Sequence, residues 1–162
     1  AVLTAQNNAW VGMRDVASGP VISSILAGAG YNVVEQCIVP DERVLLSGKM
    51  LAWCESGGVD LILTTGGTGL SRRGFMPEAT LAIAHRQVPG IAEAVRAYSM
   101  SITRRGMLSR GVAVICRETL IINLPGSPKA VEESLDFLRP ELVHALDIMT
   151  GRGRECARTD KK

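Results

Sequence analysis

The sequence predicts an α/β fold: a parallel or mostly parallel sheet with helices on both faces. Strand-like and helix-like segments alternate along the chain, which is the pattern of crossover connections. VDLILTT, at 59–65, is an apolar run of the kind buried on both sides of a sheet. The segments are separated by short Gly, Pro and Asp signals, with no low-complexity linker and no internal repeat.

AVLTA at the start is a short β run, and a polar, irregular stretch follows to Ser18. SGPVISSILAGAG is a helix that Ser18 is placed to cap, with Pro20 in its first turn and Gly28 and Gly30 at its end. YNVVEQCIVP is a strand stopped by Pro40, and DERVLLSGKMLAWCESGG a helix capped by Asp41 and closed by Gly57 and Gly58. After the buried strand 59–65, PEATLAIAHRQV and PGIAEAVRAYSM each open with a proline, as a first helical turn tolerates. GVAVICRETLIINL is two strands joined by a tight turn at Arg117 and Glu118, and SPKAVEESLDFLRPELVHALDIMTG is two helices split by Pro140. Residues 1–151 form one domain, and 152–162 (RGRECARTDKK) a charged, flexible tail.

Composition excludes several classes. A net charge of +2 on 162 residues lacks the strong basic stripe of a dedicated nucleic-acid binder. No apolar run approaches the roughly 20 residues of a membrane span, and no signal peptide is visible, so a cytoplasmic protein is expected. Cys37, Cys54, Cys116 and Cys156 show no CxxC spacing; the first three fall in apolar runs and read as buried free thiols. His85 and His144 fall on predicted helices without metal-ligand spacing, which gives them surface or packing roles.

In such sheets ligands sit beyond the carboxyl ends of the strands. Two loops fall there. In TTGGTG, Gly66, Gly67 and Gly69 permit backbone angles that gather N–H groups into an anion-binding nest, and Thr65 and Thr68 add hydroxyl donors. No Gly-Lys-Ser/Thr follows, so this is not a Walker A loop. In NLPGSPK, Pro125 and Gly126 shape a turn and Ser127 can both cap the next helix and donate to a ligand. Lys129 stands in that helix's first turn, where its cation gains nothing from the helix dipole unless an anion arrives. GMLSRG offers Ser109 and Arg110 on a loop before a strand; Ser109 is a further candidate donor, and an isolated Ser-Arg pair carries no function by itself.

Taken in order, SGP (18–20), IVPDE (38–42), DLILTTGGTG (60–69), PEAT (77–80), PGIAEA (89–94), MLSRG (107–111) and TLIINLPGSPKAV (119–131) resemble the MoaB/Mog family. That family includes bacterial molybdopterin adenylyltransferases and the gephyrin G domain. The resemblance implies a three-layer α/β/α sandwich, a homotrimer, and a site for molybdopterin and Mg-ATP at residues 65–69 and 125–127. It also implies transfer of AMP to the terminal phosphate of the pterin.

The chain departs from the family pattern where acids are usual. Gln6 and Asn7 stand for Ser-Asp, Val16 for an acidic residue, and Arg73, Gly74, Phe75 and Met76 for Arg-Asp-Val-Thr. Magnesium prefers carboxylate oxygens and water, so impaired AMP transfer with retained anion binding is expected. Apolar residues have gathered at Trp10, Val11, Met13, Val16, Phe75 and Met76. In the helix from Glu42, Leu46, Met50 and Trp53 make a core stripe, leaving Val44, Leu45 and Leu51 to point elsewhere. Gly48 in its middle costs roughly 1 kcal/mol relative to alanine. The alternative reading is a trimeric scaffold, natural or engineered, whose surface at Val44, Leu45, Leu51, Phe75 and Met76 docks a partner or further copies.

Overall fold

The computed structural model describes residues 1–6 and 17–151. The elements run β1 (Val2–Gln6), α1 (Ser18–Gly28), β2 (Gln36–Pro40), α2 (Arg43–Ser56), β3 (Leu61–Thr65), α3 (Met76–Ala82), β4 (Arg86–Gln87), α4 (Pro89–Ile102), a 3₁₀ turn (Arg104–Leu108), β5 (Ala113–Cys116), β6 (Thr119–Leu124) and α5 (Pro128–Met149). The sheet order is β2-β1-β3-β6-β5-β4. The first four strands in that order are parallel; β5 and β4 complete the edge antiparallel.

Alternation along the strands divides the core into two layers. Val2, Leu61, Leu63, Leu120, Ile122 and Leu124 face α1, α4 and α5, where Ile22, Leu26, Val95, Val131, Leu135 and Leu138 meet them. Leu3, Ile62, Val114 and Ile121 face α2 and α3, where Leu46, Met50, Trp53, Met76 and Ala79 meet them. Each fully buried large side chain among these is worth about 1.5–3 kcal/mol. The α/β/α sandwich expected from the sequence is therefore present, as is the Leu46, Met50, Trp53 stripe.

Several local expectations are corrected. Ser18 is buried within α1 and caps nothing; the cap position is Ala17, without a side-chain bond. Strand β2 begins only at Gln36. The helix opened by Pro77 ends at Ala82 because the His85 and Val88 amides donate to the Ile115 and Ala113 carbonyls, drawing the chain onto the sheet edge as β4. His85 is thus not helical: its Nδ1 accepts from the Arg117 amide. That bond braces the tight turn at Arg117 (φ 52°), where β5 meets β6 as expected. Pro140 does not split the last helix; it lies on an exposed face of α5, where an unpaired carbonyl one turn earlier can turn to water. Cys54 and Cys116 are buried free thiols, and Cys37 is half-buried. Cys156 and the tail lie outside the described residues.

One buried polar side chain joins three elements. Asn123 in β6 donates through Nδ2 to Thr64 Oγ1 (2.9 Å) in β3 and to Thr80 Oγ1 (3.0 Å) in α3, while its Oδ1 accepts from the Val112 amide (3.3 Å). Asn123→Leu keeps the volume and strips these bonds. The expected result is a loss of about 2–3 kcal/mol, read as a lower urea midpoint at unchanged slope.

Candidate functional site: two turns at adjacent strand ends

Strands β3 and β6 are parallel neighbours with Thr65 opposite Leu124, so both turns leave the sheet at the same level. Gly66 (φ 86°) and Gly67 (φ 67°) adopt left-handed backbone that side chains disfavour. A Cβ at Gly66 would also sit 2.6 Å from the Ala5 carbonyl oxygen. On its other side, Gly66 leaves ordinary van der Waals room for Gly126, where a Cβ would lie 3.5 Å from the Gly66 Cα. The Thr65 hydroxyl joins the turns by donating to the Pro125 carbonyl (2.6 Å). Thr65 is fully buried and its proton is committed, which corrects its expected role as a ligand donor.

Most of the other expected site residues converge. Thr68, Gly69, Ser109, Pro125 and Gly126 line one cleft of about 320 Å³. Arg105 and Glu133 also line it, and the sequence pointed to neither. Ser127 accepts from the Ala130 amide (3.2 Å) and is the N-cap of α5, as expected. Lys129 is largely exposed and reaches Glu133 only at 3.9 Å, so it stands beside the cleft rather than in it. A second cleft of about 330 Å³ opens between Leu70, Gly74, Glu78 and Arg110. Consecutive residues of one loop contribute to both, Thr68 and Gly69 to the first and Leu70 to the second.

The largest correction concerns Asp41. It does not cap α2, whose cap position is Glu42 with no side-chain bond. Asp41 is 6% exposed and lies under the glycine loop, its carboxylate oxygens within 2.8 and 3.0 Å of where a Cβ on Gly67 would stand. Its Oδ1 accepts from the Phe75 amide (2.9 Å). Burial pushes the Asp41 carboxyl above its ordinary range and the neighbouring Glu78 pushes it further, against the Phe75 amide and the Arg110 cation. Glu78 does brace α3, through an ion pair between Arg110 Nη1 and its Oε1; its Oε2 is buried without a partner.

Position 74 is closed. A Cβ on Gly74 would stand 2.8 Å from the Gly67 carbonyl oxygen, so an aspartate does not fit there without moving one loop off the other. The apolar surface is also smaller than expected. Met76 is fully buried and Leu51 packs partly into the core, whereas Val44, Leu45 and Phe75 remain exposed. Asn7, Trp10, Val11, Met13 and Val16 lie outside the described residues. Among those described, no three His, Cys, Asp or Glu side chains could share a metal ion, and no helix is long and apolar enough to cross a membrane.

A sequence model of the family described as a probable molybdopterin binding domain matches residues 1–144. The chain is 36% identical over 152 residues to the molybdopterin adenylyltransferase of Helicobacter pylori J99, covering 93% of this chain and 86% of that protein. It is 41% identical over 106 residues to the Escherichia coli K12 molybdopterin adenylyltransferase, covering 65% of this chain and 54%, about half, of that enzyme. Among solved structures, the molybdopterin biosynthesis enzyme MoaB of Thermus thermophilus superimposes with a TM-score of 0.85 at 43% identity, covering 93% of this chain and 94% of that one. The Mog protein of Mycobacterium ulcerans gives 0.82 at 36%, covering 91% and 96%. With both turns inside residues 1–144 that the family model matches, the chain belongs to the MoaB/Mog family of molybdenum cofactor biosynthesis, the molybdopterin adenylyltransferase type.

Proposed function

We propose that this chain binds molybdopterin and ATP at the paired turns and slowly transfers AMP from ATP to the terminal phosphate of the pterin, breaking the α–β phosphoanhydride bond and releasing pyrophosphate. The observation that carries the reading is the pair of glycine turns welded at the ends of β3 and β6, with a cleft on either side of the loop. Backbone N–H groups of such a nest hold phosphate oxygens without side-chain help. Two clefts lined by successive residues of the same loop suit two phosphorylated substrates whose reacting groups must be brought together.

The acids beside the nest support the slow transfer. A magnesium ion needs one or two carboxylates together with substrate phosphate oxygens, and when bound it would screen the phosphates. Asp41 and Glu78 are the carboxylates that would hold it, and the unpartnered Glu78 Oε2 fits that role. The set is minimal, however. Burial disfavours the Asp41 charge, Glu78 is engaged by Arg110, and Gly74 carries no acid. With molybdopterin and Mg-ATP, the expected outcome is measurable pterin binding with AMP transfer on the order of 10²-fold slower than the Helicobacter pylori enzyme under the same conditions. Equal rates would overturn the reading.

Asp41 connects stability to this chemistry. Its folded pKa lies above the ordinary 3.8, so the stability it contributes is full below that value and is lost as pH rises through the folded pKa. At pH 7 its buried charge therefore opposes folding. Asp41→Asn keeps an oxygen for the Phe75 amide and removes the charge. We expect Tm at pH 7 to hold or to rise by about 2–4 °C, the difference shrinking toward pH 4, while residual AMP transfer falls at least tenfold.

A second reading concerns assembly, and exposed apolar side chains favour it. Val44 is 78% exposed and Leu45 is exposed beside it in sequence, and the Phe75 amide's hydrogen bond to Asp41 sets half-exposed Phe75 against the segment that leads into α2. Met100, Ile102, Met107 and Phe137 are exposed around α4, the 3₁₀ turn and α5. We propose that the chain is a homotrimer and that the α2 surface docks a further protein chain. Sedimentation of Val44→Glu is expected to remove any species larger than a trimer and leave the trimer; dissociation to monomers would place the trimer contact on α2 instead.

A further inference from the structure

Arg110 stands in the MLSRG stretch, whose pattern gives it no role, yet it is bonded to three segments, the glycine loop and two beside it. Its amide donates to the Thr68 carbonyl (2.9 Å). Its Nε donates to the Gly69 carbonyl (2.8 Å), its Nη2 to the Gly74 carbonyl (2.6 Å), and its Nη1 to Glu78 Oε1. One side chain thereby ties the glycine loop, the turn before α3 and the first turn of α3 to the length of chain that leads into β5.

The loop needs such a tie. Gly66, Gly67, Gly69 and Gly74 have no side chains to pack, and glycine loses more conformational freedom on ordering than any other residue. Gly74 lies against the Gly67 carbonyl so closely that only a held loop keeps them in register. The guanidinium is planar and offers donors in several fixed directions, so it serves three separated acceptors at once. A lysine ammonium puts all its donors on one atom and cannot.

We propose that Arg110 is a positioning residue of the anion site: it holds residues 67–75 in the binding conformation through the Gly69 and Gly74 carbonyls and Glu78. The consequence for affinity rests on the ligand reading above, whereas the consequence for loop order does not.

The test uses the full chain and four proteins: wild type, Arg110→Ala, Arg110→Lys and Glu78→Gln. Hydrogen exchange reads the loop directly, since the Gly74 amide donates to Ser71 and the Phe75 amide to Asp41. In Arg110→Ala and Arg110→Lys both amides are expected to exchange roughly tenfold faster or more, while β3 and β6 amides hold their wild-type rates. Glu78→Gln keeps an acceptor oxygen for Nη1 and is expected to stay near wild type. Calorimetry with ATP and, separately, molybdopterin is expected to give roughly tenfold weaker binding for both Arg110 variants. Should Arg110→Ala fail to fold, Arg110→Lys carries the same exchange prediction. Unchanged exchange at Gly74 and Phe75, or full rescue by lysine, would overturn the proposal. If wild type binds neither probe, the ligand reading falls and the exchange data still decide the role of Arg110.

Discussion

The site depends on the parallel pairing of β3 with β6. Opposing Thr65 to Leu124 brings two glycine turns to one level, and the buried Thr65 hydroxyl then joins them through the Pro125 carbonyl. That bond cannot form at another register, because a shift by one residue would turn Thr65 to the other face of the sheet. Asn123 repeats the constraint one residue earlier. It bonds Thr64 across the same strand pair and Thr80 in α3, so the helix that carries Glu78 is referenced to the two strands that carry the turns. Geometry at the nest is inherited from the centre of the sheet rather than from the loops themselves.

Close approach is the second constraint, and it explains where glycine is indispensable. Gly66 abuts the Ala5 carbonyl, Gly67 the Asp41 carboxylate, and Gly74 the Gly67 carbonyl. These contacts stack β1, the start of α2 and the turn before α3 beneath one loop. The arrangement sets backbone oxygens and the Asp41 carboxylate on the packed side of the loop. A side chain at position 74 would separate the layers. Glycine there and the compact loop are therefore the same fact seen from sequence and from structure.

What the sequence disclosed followed the range of the interactions. The α/β alternation, the buried strands, the β5–β6 turn and the Ser127 cap are local patterns of a few residues, and each is present. Local signals failed where a distant partner decided the outcome. Asp41 has the form of a helix cap, but the Phe75 amide, 34 residues on, takes its carboxylate. His85 looks helical until its hydrogen bond to the Arg117 amide, 32 residues away, draws it to the sheet edge. Thr65 looks like a ligand donor until Pro125, 60 residues on, accepts its proton. The apolar Met76 looked like a surface residue because it replaces a polar one, yet it fills the core between α2 and the sheet. Arg110 lies in the stretch MLSRG, but no local pattern gives its role, because its side-chain partners are 32 to 41 positions away.

The charge balance of the site follows from the same packing. The Asp41 carboxylate, buried beneath the loop, loses water that would stabilise its charge and gains only the Phe75 amide and the Arg110 cation in return, and the first effect is the larger. Glu78 lies beside a cation, but that cation is already bonded to two loop carbonyls and is not free to follow a ligand. Pulling Glu78 away toward a metal would loosen the loop proposed to hold the phosphate. The anion and cation binding proposed above would therefore draw on one set of contacts, and a third acid at position 74 would relieve that competition only by opening the close Gly67–Gly74 approach.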